Sequence, residues 1–291
     1  MGKTVGMIGL GIMGGAIAPN LIERGWTVIG YDVAANRASE LAAKGVTIAG
    51  SIAEVVAKTD LVMTSLPSPT AAFAVAEEIS GTGASPRIVV ELSTLAIADK
   101  LRFRDILAAA EHVALDCPLS GTGAQAAVRD LIVYASGDSA AIAKCTALFA
   151  DFSKQNADLG VYGNGSRMKF VANHLVAIHN VATAEAMVLA QRAGLDLQQV
   201  VELVGPGAGG SRMFQMRAPM MVSGVYEPAT MRISTWKKDM SIIGAFAEDL
   251  QCPTPMFDLT QPVYTEAMQQ GLGDKDTAAV FEVLDKLAPG K

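Results

Sequence analysis

The stretch VGMIGLGIMGGAIAPNLIERGWTVIGYD, Val5 to Asp32, decides the fold. Val5 to Ile8 is an apolar run of the kind that forms a buried strand. The turn Gly9-Leu10-Gly11-Ile12-Met13-Gly14 follows, its glycines in G-x-G-x-x-G spacing. A helical pattern comes next, punctuated by Gly25, and a second apolar strand, Val28 to Tyr31, delivers Asp32. Strand, glycines, helix, strand and acid in that order predict a βαβ unit that holds a dinucleotide. Gly9 permits the tight turn. Gly11 lets the backbone approach a pyrophosphate at the helix N-terminus, and Gly14 lets helix and strand pack closely. Asp32 can accept hydrogen bonds from both ribose hydroxyls and would repel a 2′-phosphate, so the sequence favours NAD over NADP. Arg37 lies near enough to meet a 2′-phosphate but reads as a solvated residue of the next helix.

The bulk composition narrows the rest. A chain of 291 residues is long enough for about two domains. Hydrophobic residues make up 51% and aromatics only 5%, so Ala, Val, Ile, Leu and Met must pack the core. A net charge of −6 without any basic run argues against a nucleic-acid partner. No apolar stretch approaches the ~20 residues of a membrane-spanning helix. The first strand starts so early that no signal peptide is expected. Cys117, Cys145 and Cys252 are few, odd in number and widely spaced, which fits a reducing compartment and neither a disulfide framework nor a zinc site. A cytoplasmic location is the default expectation.

Strand and helix signals alternate through the first half. Strands are expected at 61–64, 88–91, 113–115 and 131–135, with helices at 34–44, 69–79 and 97–110 between them. Such alternation predicts a doubly wound, mostly parallel sheet with helices on both faces and ligands at the carboxyl ends of the strands. Leu66-Pro67, Ser93-Thr94 and Asp116-Cys117-Pro118-Leu119-Ser120-Gly121 fall at those ends. Beyond residue 160 helical periodicity takes over. One long helix is expected over 163–194, followed by helices at 197–204, 213–221, 236–248, 255–270 and 276–284. The domains are therefore placed at 1–162, α/β, and 163–291, all-helical.

Lys169 sits near the start of the long helix, with Asn173 one turn on and Asn180 continuing the stripe. The glycine-rich run GNGSRMK and the absence of a second Lys through Gly194 argue for burial. Desolvation disfavours a charged ammonium, which would fit Lys169 to take or give a proton near neutral pH. Ser120-Gly121-Thr122-Gly123 follows a strand and precedes a helix. Its backbone N–H groups and two hydroxyls can receive a carboxylate, or the segment is a plain turn. The Lys pair in Trp236-Lys237-Lys238-Asp239 reads as a solvated face unless its helix points at the cleft. His112, His174 and His179 are scattered and suggest no metal site, with His174 expected to pack. Ser211 and Arg212 are weaker candidates for an anion contact.

Five motifs in register now resemble the β-hydroxyacid dehydrogenases, a group that includes 3-hydroxyisobutyrate, tartronate semialdehyde and threonate-type enzymes. They are GLGIMG at 9–14, ELST at 91–94, D-x-P-x-S-G at 116–121, GNGSRMKFVAN at 163–173 and KD at 238–239. The resemblance implies a Rossmann domain joined by the long helix to a helical domain, with homodimers or homotetramers formed through the latter. It implies Lys169 as the catalytic acid/base, Ser120, Gly121 and Thr122 on the substrate carboxylate, and Asn173 on the substrate oxygens. It places Leu66, Pro67 and Thr94 along the nicotinamide half of NAD, with Lys238 approaching cofactor or substrate. The expected reaction is hydride transfer between NAD, less readily NADP, and a small β-hydroxyacid. An imine reductase of the same architecture and a non-catalytic nucleotide-binding protein are the alternatives, and Lys169 speaks against both. The chain departs from the family pattern at Thr122, where a second glycine is usual, at Ala172, where Asn is frequent, and at Met231, where Phe is usual.

Overall fold

Six parallel strands form the central sheet in the order β3-β2-β1-β4-β5-β6. They are β1 (Thr4–Ile8), β2 (Thr27–Tyr31), β3 (Thr47–Ile48), β4 (Leu61–Thr64), β5 (Ile88–Glu91) and β6 (Val113–Asp116). The structure, a computed structural model, describes residues 3–287. The chain divides into two compact units, Met1–Lys169 and Phe170–Lys291.

In the first unit each central strand is apolar on both sides, and alternate residues feed two separate cores. Val5, Met7, Leu61, Met63, Ile88 and Val90 join one, while Ile8, Val62 and Val89 join the other. This period-2 division is what a sheet covered on both faces requires. Helices α1 (Ile12–Glu23) and α2 (Ala35–Ala42) follow β1 and β2, and α3 (Ile52–Lys58), α4 (Pro69–Gly81) and α5 (Ile97–Ala108) follow β3, β4 and β5. The first core is closed by Ile17, Ala18 and Leu21 of α1, the second by Val55, Val56, Val75, Ile79 and Phe103 of α3 to α5. Helix α3 was not among the expected elements, although Ser51 caps it by accepting from Glu54 N at 3.2 Å and Glu54 reaches back to Gly50 N at 2.7 Å. That S-x-x-E signature was legible.

The strand expected at 131–135 does form, but outside the large sheet. After β6 come β7 (Leu119–Ser120), α6 (Gly123–Ala127), β8 (Ile132–Ala135), α7 (Ser139–Phe152) and β9 (Gln155–Asp158). β7, β8 and β9 make a separate three-stranded sheet, with β7 antiparallel to β8 and β8 parallel to β9. The chain turns back through 121–131 to pair β8 antiparallel with β7, and Ser136 just beyond β8 forms an antiparallel bridge with Asp116 at the end of β6.

Helix α8 (Asn164–Arg192) begins in the first unit and continues into the second. The second unit adds α9 (Leu197–Val204), α10 (Arg212–Ser223), α11 (Ile233–Asp249), α12 (Pro255–Gln269) and α13 (Val280–Leu287), the last preceded by a 3-10 turn at Thr277–Ala279. Its core holds Trp236, Phe257 and Tyr264. Asn180, fully buried on α8, donates to Tyr264 Oη at 2.8 Å and to Thr277 O at 2.9 Å. Asp276 receives Thr230 N and Thr230 Oγ1, each at 2.8 Å, beside the Arg217 guanidinium. No helix among the described residues is long and apolar enough to cross a membrane.

Candidate active site

The backbone ladder of the large sheet runs on past the strands' carboxyl ends. Gly9 N donates to Tyr31 O at 2.9 Å, Ser65 N to Ile8 O at 3.0 Å, Leu92 N to Thr64 O at 2.9 Å and Cys117 N to Glu91 O at 2.9 Å. The loops carrying the sequence candidates therefore leave the sheet along one edge. Gly9 has φ +91°, and a Cβ there would lie 2.2 Å from Ser65 O. A Cβ on Gly14 would lie 2.0 Å from Gly9 O, so only glycine lets α1 start so close to β1. Gly11 faces open space and is the N-cap of α1, where no side chain caps the helix and no acid occupies the first turn. A helix start of this kind leaves its positive end to an anion. The cradle fits a dinucleotide pyrophosphate.

Asp32 is held from two sides. Its Oδ2 accepts Leu10 N at 2.7 Å and its Oδ1 accepts Ala34 N at 2.8 Å. Each oxygen keeps a second lone pair for a ribose hydroxyl. Leu10 itself is fully buried, its amide engaged by Asp32, while Ile12 is exposed and Met13 packs partly against the core. Arg37 pairs with Glu40 at 3.0 Å on the exposed face of α2, as expected of a solvated residue.

Leu66 N donates to Ser93 Oγ at 2.8 Å, which draws the loop after β4, with Leu66 and exposed Pro67, against the loop carrying Thr94. The 120–123 segment lies beside the glycine-rich turn. A Cβ on Gly123 would come 2.5 Å from Ile12 Cγ2, and Asn20 on α1 donates to Ala126 O on α6 at 2.6 Å. Within this segment the Thr122 amide is engaged, because Gln125 Oε1 accepts it at 3.1 Å. Gln125 Nε2 in turn donates to Asp130 Oδ2 at 2.9 Å. Sequence reasoning passed over Gln125, although T-x-x-Q ahead of a helix is a capping signature. Ser120 and Gly121 stay half-buried at the end of β7.

Every donor of the first turn of α8 has a protein acceptor. Asn164 N bonds Val161 O at 3.0 Å, Gly165 N bonds Ser136 Oγ at 2.9 Å, Ser166 N bonds Asp116 Oδ2 at 2.8 Å and Arg167 N bonds Gly163 O at 3.0 Å. Ser166 Oγ also donates to Asp116 Oδ1 at 2.8 Å. A Cβ on Gly165 would lie 2.3 Å from Tyr134 O and 2.6 Å from Asp116 O, which explains the glycine of the N-G-S run. Lys169 follows Ser166 by one turn of this anchored helix and is only 8% exposed.

In the second unit Asn173 and the Lys-Asp pair come together. Asn173 Nδ2 lies 3.4 Å from Asp239 Oδ2, and Lys238 Nζ lies 3.3 Å from Asp239 Oδ1. His174 stacks on Phe257 with centroids 5.2 Å apart, a packing role. Ser211 caps α10 by accepting Phe214 N at 3.0 Å. Among the described residues no three His, Cys, Asp or Glu side chains gather in a metal-binding group.

Two family models match the chain in succession. The family model of the NAD binding domain of 6-phosphogluconate dehydrogenase matches residues 4–163. A second, described as NAD-binding of NADP-dependent 3-hydroxyisobutyrate dehydrogenase, matches residues 163–284. The chain is 30% identical to the chloroplastic glyoxylate/succinic semialdehyde reductase 2 of Arabidopsis thaliana, over 97% of this chain and 79% of that one. It is 28% identical to L-threonate dehydrogenase of Cupriavidus necator, over 100% of this chain and 99% of that one. The solved structure of Mycobacterium tuberculosis 3-hydroxyisobutyrate dehydrogenase with L-serine is similar at a TM-score of 0.87 and 25% identity, covering 98% of this chain and 99% of that chain.

Proposed function

The chain belongs to the β-hydroxyacid dehydrogenase family of NAD(P)-dependent oxidoreductases, and from that premise we propose that it interconverts a small β-hydroxyacid and its carbonyl acid with NAD, Lys169 serving as general acid/base. The observation that carries this reading is the anchored first turn of α8, which fixes a buried lysine one turn beyond Ser166. The nicotinamide supplies the site that accepts or donates hydride. In the oxidative direction Lys169 Nζ takes the hydroxyl proton, and in reverse it returns a proton to the forming alkoxide. Ser120 and Gly121 orient the substrate carboxylate, with the Thr122 hydroxyl beside them. Asn173 holds the substrate oxygens, and Lys238 approaches cofactor or substrate. Asp32 reads the ribose, with Leu66, Pro67 and Thr94 along the nicotinamide half and Gly9 to Gly14 under the pyrophosphate.

The printed names of the relatives describe small acids bearing an alcohol or an aldehyde, namely threonate, glyoxylate and succinic semialdehyde. A carboxylate on the same short carbon chain as the reacting alcohol or aldehyde is their shared chemistry, and it defines the proposed substrate class. Preference for NAD rests on Asp32 and on Arg37 being paired with Glu40. Domains at 1–162 and 163–291 belong to the same proposal, as does self-association through the helical part, where Val171, Leu175 and Leu189 of α8 are exposed.

The test is NADH formation by the purified protein, with NAD and NADP in parallel, against 3-hydroxyisobutyrate, glycerate, serine, threonate and 4-hydroxybutyrate. The expected result is turnover with at least one acid that disappears in Lys169→Ala while NADH binding is retained. Normal turnover in Lys169→Ala overturns the assignment of the lysine.

A further inference from the structure

Lys100, on α5, is a lysine with no exposed surface. It stands between two carboxylates that are equally buried, in ion pairs with Glu91 Oε2 at the end of β5 and, at 3.0 Å, with Asp116 Oδ1 at the end of β6. Its position three and seven residues before Phe103 and Leu107 puts it on the apolar, inward stripe of α5. A charge in such a place is tolerated only when it is paired.

The second contacts of the two carboxylates give the pairing its meaning. Glu91 Oε1 accepts Ser93 N at 2.9 Å, and Ser93 Oγ accepts Leu66 N at 2.8 Å. That arm runs from Lys100 to the loops carrying Leu66 and Thr94. Asp116 accepts Ser166 N and Ser166 Oγ, each at 2.8 Å, and Ser136 Oγ bonds both the Asp116 carbonyl, at 3.1 Å, and Gly165 N, at 2.9 Å. That arm runs from Lys100 to the first turn of α8 and so to Lys169. Tyr162 Oη donates to the Lys100 carbonyl at 3.0 Å and ties the approach to α8 to the same helix, α5. The three charges sum to one negative, and the helix end they face is positive.

We propose that Lys100 is a positioning residue of the active site, fixing the Leu66 and Thr94 loops through Glu91 and the helix turn that carries Lys169 through Asp116. This rests on the role proposed above for Lys169. Burial works against the ammonium, but the adjacent charges of Asp116 and Glu91 outweigh it and hold Lys100 above its ordinary value, so it remains a cation. A neutral residue there would leave two buried carboxylates facing each other, and one of them would have to take up a proton. The arm that carries the proton would lose its ionised acceptor, and the other would lose the paired cation that holds its carboxylate in place.

The test uses the full chain and separates the arms. Ser166→Ala keeps the backbone bond to Asp116 and removes the hydroxyl bond, while Ser93→Ala removes the Leu66 acceptor. Ser166→Ala is expected to lower kcat about tenfold to a hundredfold with NADH affinity unchanged. Ser93→Ala is expected to weaken NADH binding, read by fluorescence titration, about tenfold and to affect kcat less. In Lys100→Met, hydrogen–deuterium exchange should quicken at 66, 93–94 and 164–169 ahead of the rest of the first unit. Wild-type kcat in Ser166→Ala together with wild-type NADH affinity in Ser93→Ala overturns the proposal, whatever happens to the melting temperature. Uniformly faster exchange in Lys100→Met overturns it as well. Lys169→Ala run alongside distinguishes the two failures. If it is inactive while both serine variants behave as wild type, only the positioning role falls. Normal turnover in Lys169→Ala instead removes the reading on which that role rests.

Discussion

Asp32 Oδ2 accepts the Leu10 N–H at 2.7 Å, so the acid at the end of β2 is bolted to the glycine-rich turn itself. The residue proposed to read the ribose also shapes the pyrophosphate cradle. Asp32→Ala should therefore weaken both cofactors, and NAD more than NADP. The loss of a charge-assisted bond to the ribose corresponds to about tenfold to a hundredfold in NAD affinity. Fluorescence titration with NADH and NADPH measures the ratio, and an unchanged ratio removes Asp32 as the discriminating residue.

Two asparagines on α8 allow a test of function against folding. Asn180→Ala takes donors from Tyr264 Oη and Thr277 O in a buried core and should cost about 2 kcal/mol of stability, with substrate KM unchanged in the folded protein. Asn173→Ala loses a 3.4 Å contact to Asp239 and should melt near wild type while raising substrate KM. Thermal melts and Michaelis curves on the pair check both. A stability loss in Asn173→Ala without a KM change would make that residue structural.

Gly165→Ala tests the seating of α8. The new Cβ would meet two carbonyl oxygens, of Tyr134 and Asp116, and backbone cannot yield as a flexible side chain can. Overpacking of this kind costs about 1–3 kcal/mol. The variant should melt lower and turn over more slowly, and a wild-type melting temperature would show that the helix start has room to move.

His112 gives a pH dependence with a definite sign. Its Nδ1 accepts Arg87 N at 3.0 Å, which needs the neutral ring. Burial holds its pKa below the ordinary 6.5, assisted by the Arg87 charge and opposed by the Ile79 carbonyl. The unfolded chain thus binds a proton that the native state refuses. Stability should fall as pH drops from 6.5 towards the lower native value and level off beneath it. Urea midpoints at about pH 7.5 and about pH 5.5 in wild type and His112→Gln measure this, and equal slopes would exclude His112 as the source.

The sequence by itself determined the βαβ unit, the doubly wound sheet and the helical second half. Those features rest on local rules. Apolar period and run length choose strand or helix, and the G-x-G-x-x-G spacing answers a steric need that recurs wherever a helix starts against its strand. The glycines were legible for the same reason, and Asp32 and Lys169 stand as candidates that the sequence alone singles out. Tertiary structure alone decided what the remaining polar groups do. Asn173 and Asn180 share one helix and one side chain, yet the first meets Asp239 and the second meets Tyr264 and Thr277. The Thr122 amide could face a ligand or a neighbour, and Gln125 reaches it first. Lys100 looks like any helix lysine until β5 and β6 bring Glu91 and Asp116 to either side of it. A charged group's role depends on which partners remain once water is excluded, and here those partners lie on other strands and helices, brought together only by folding.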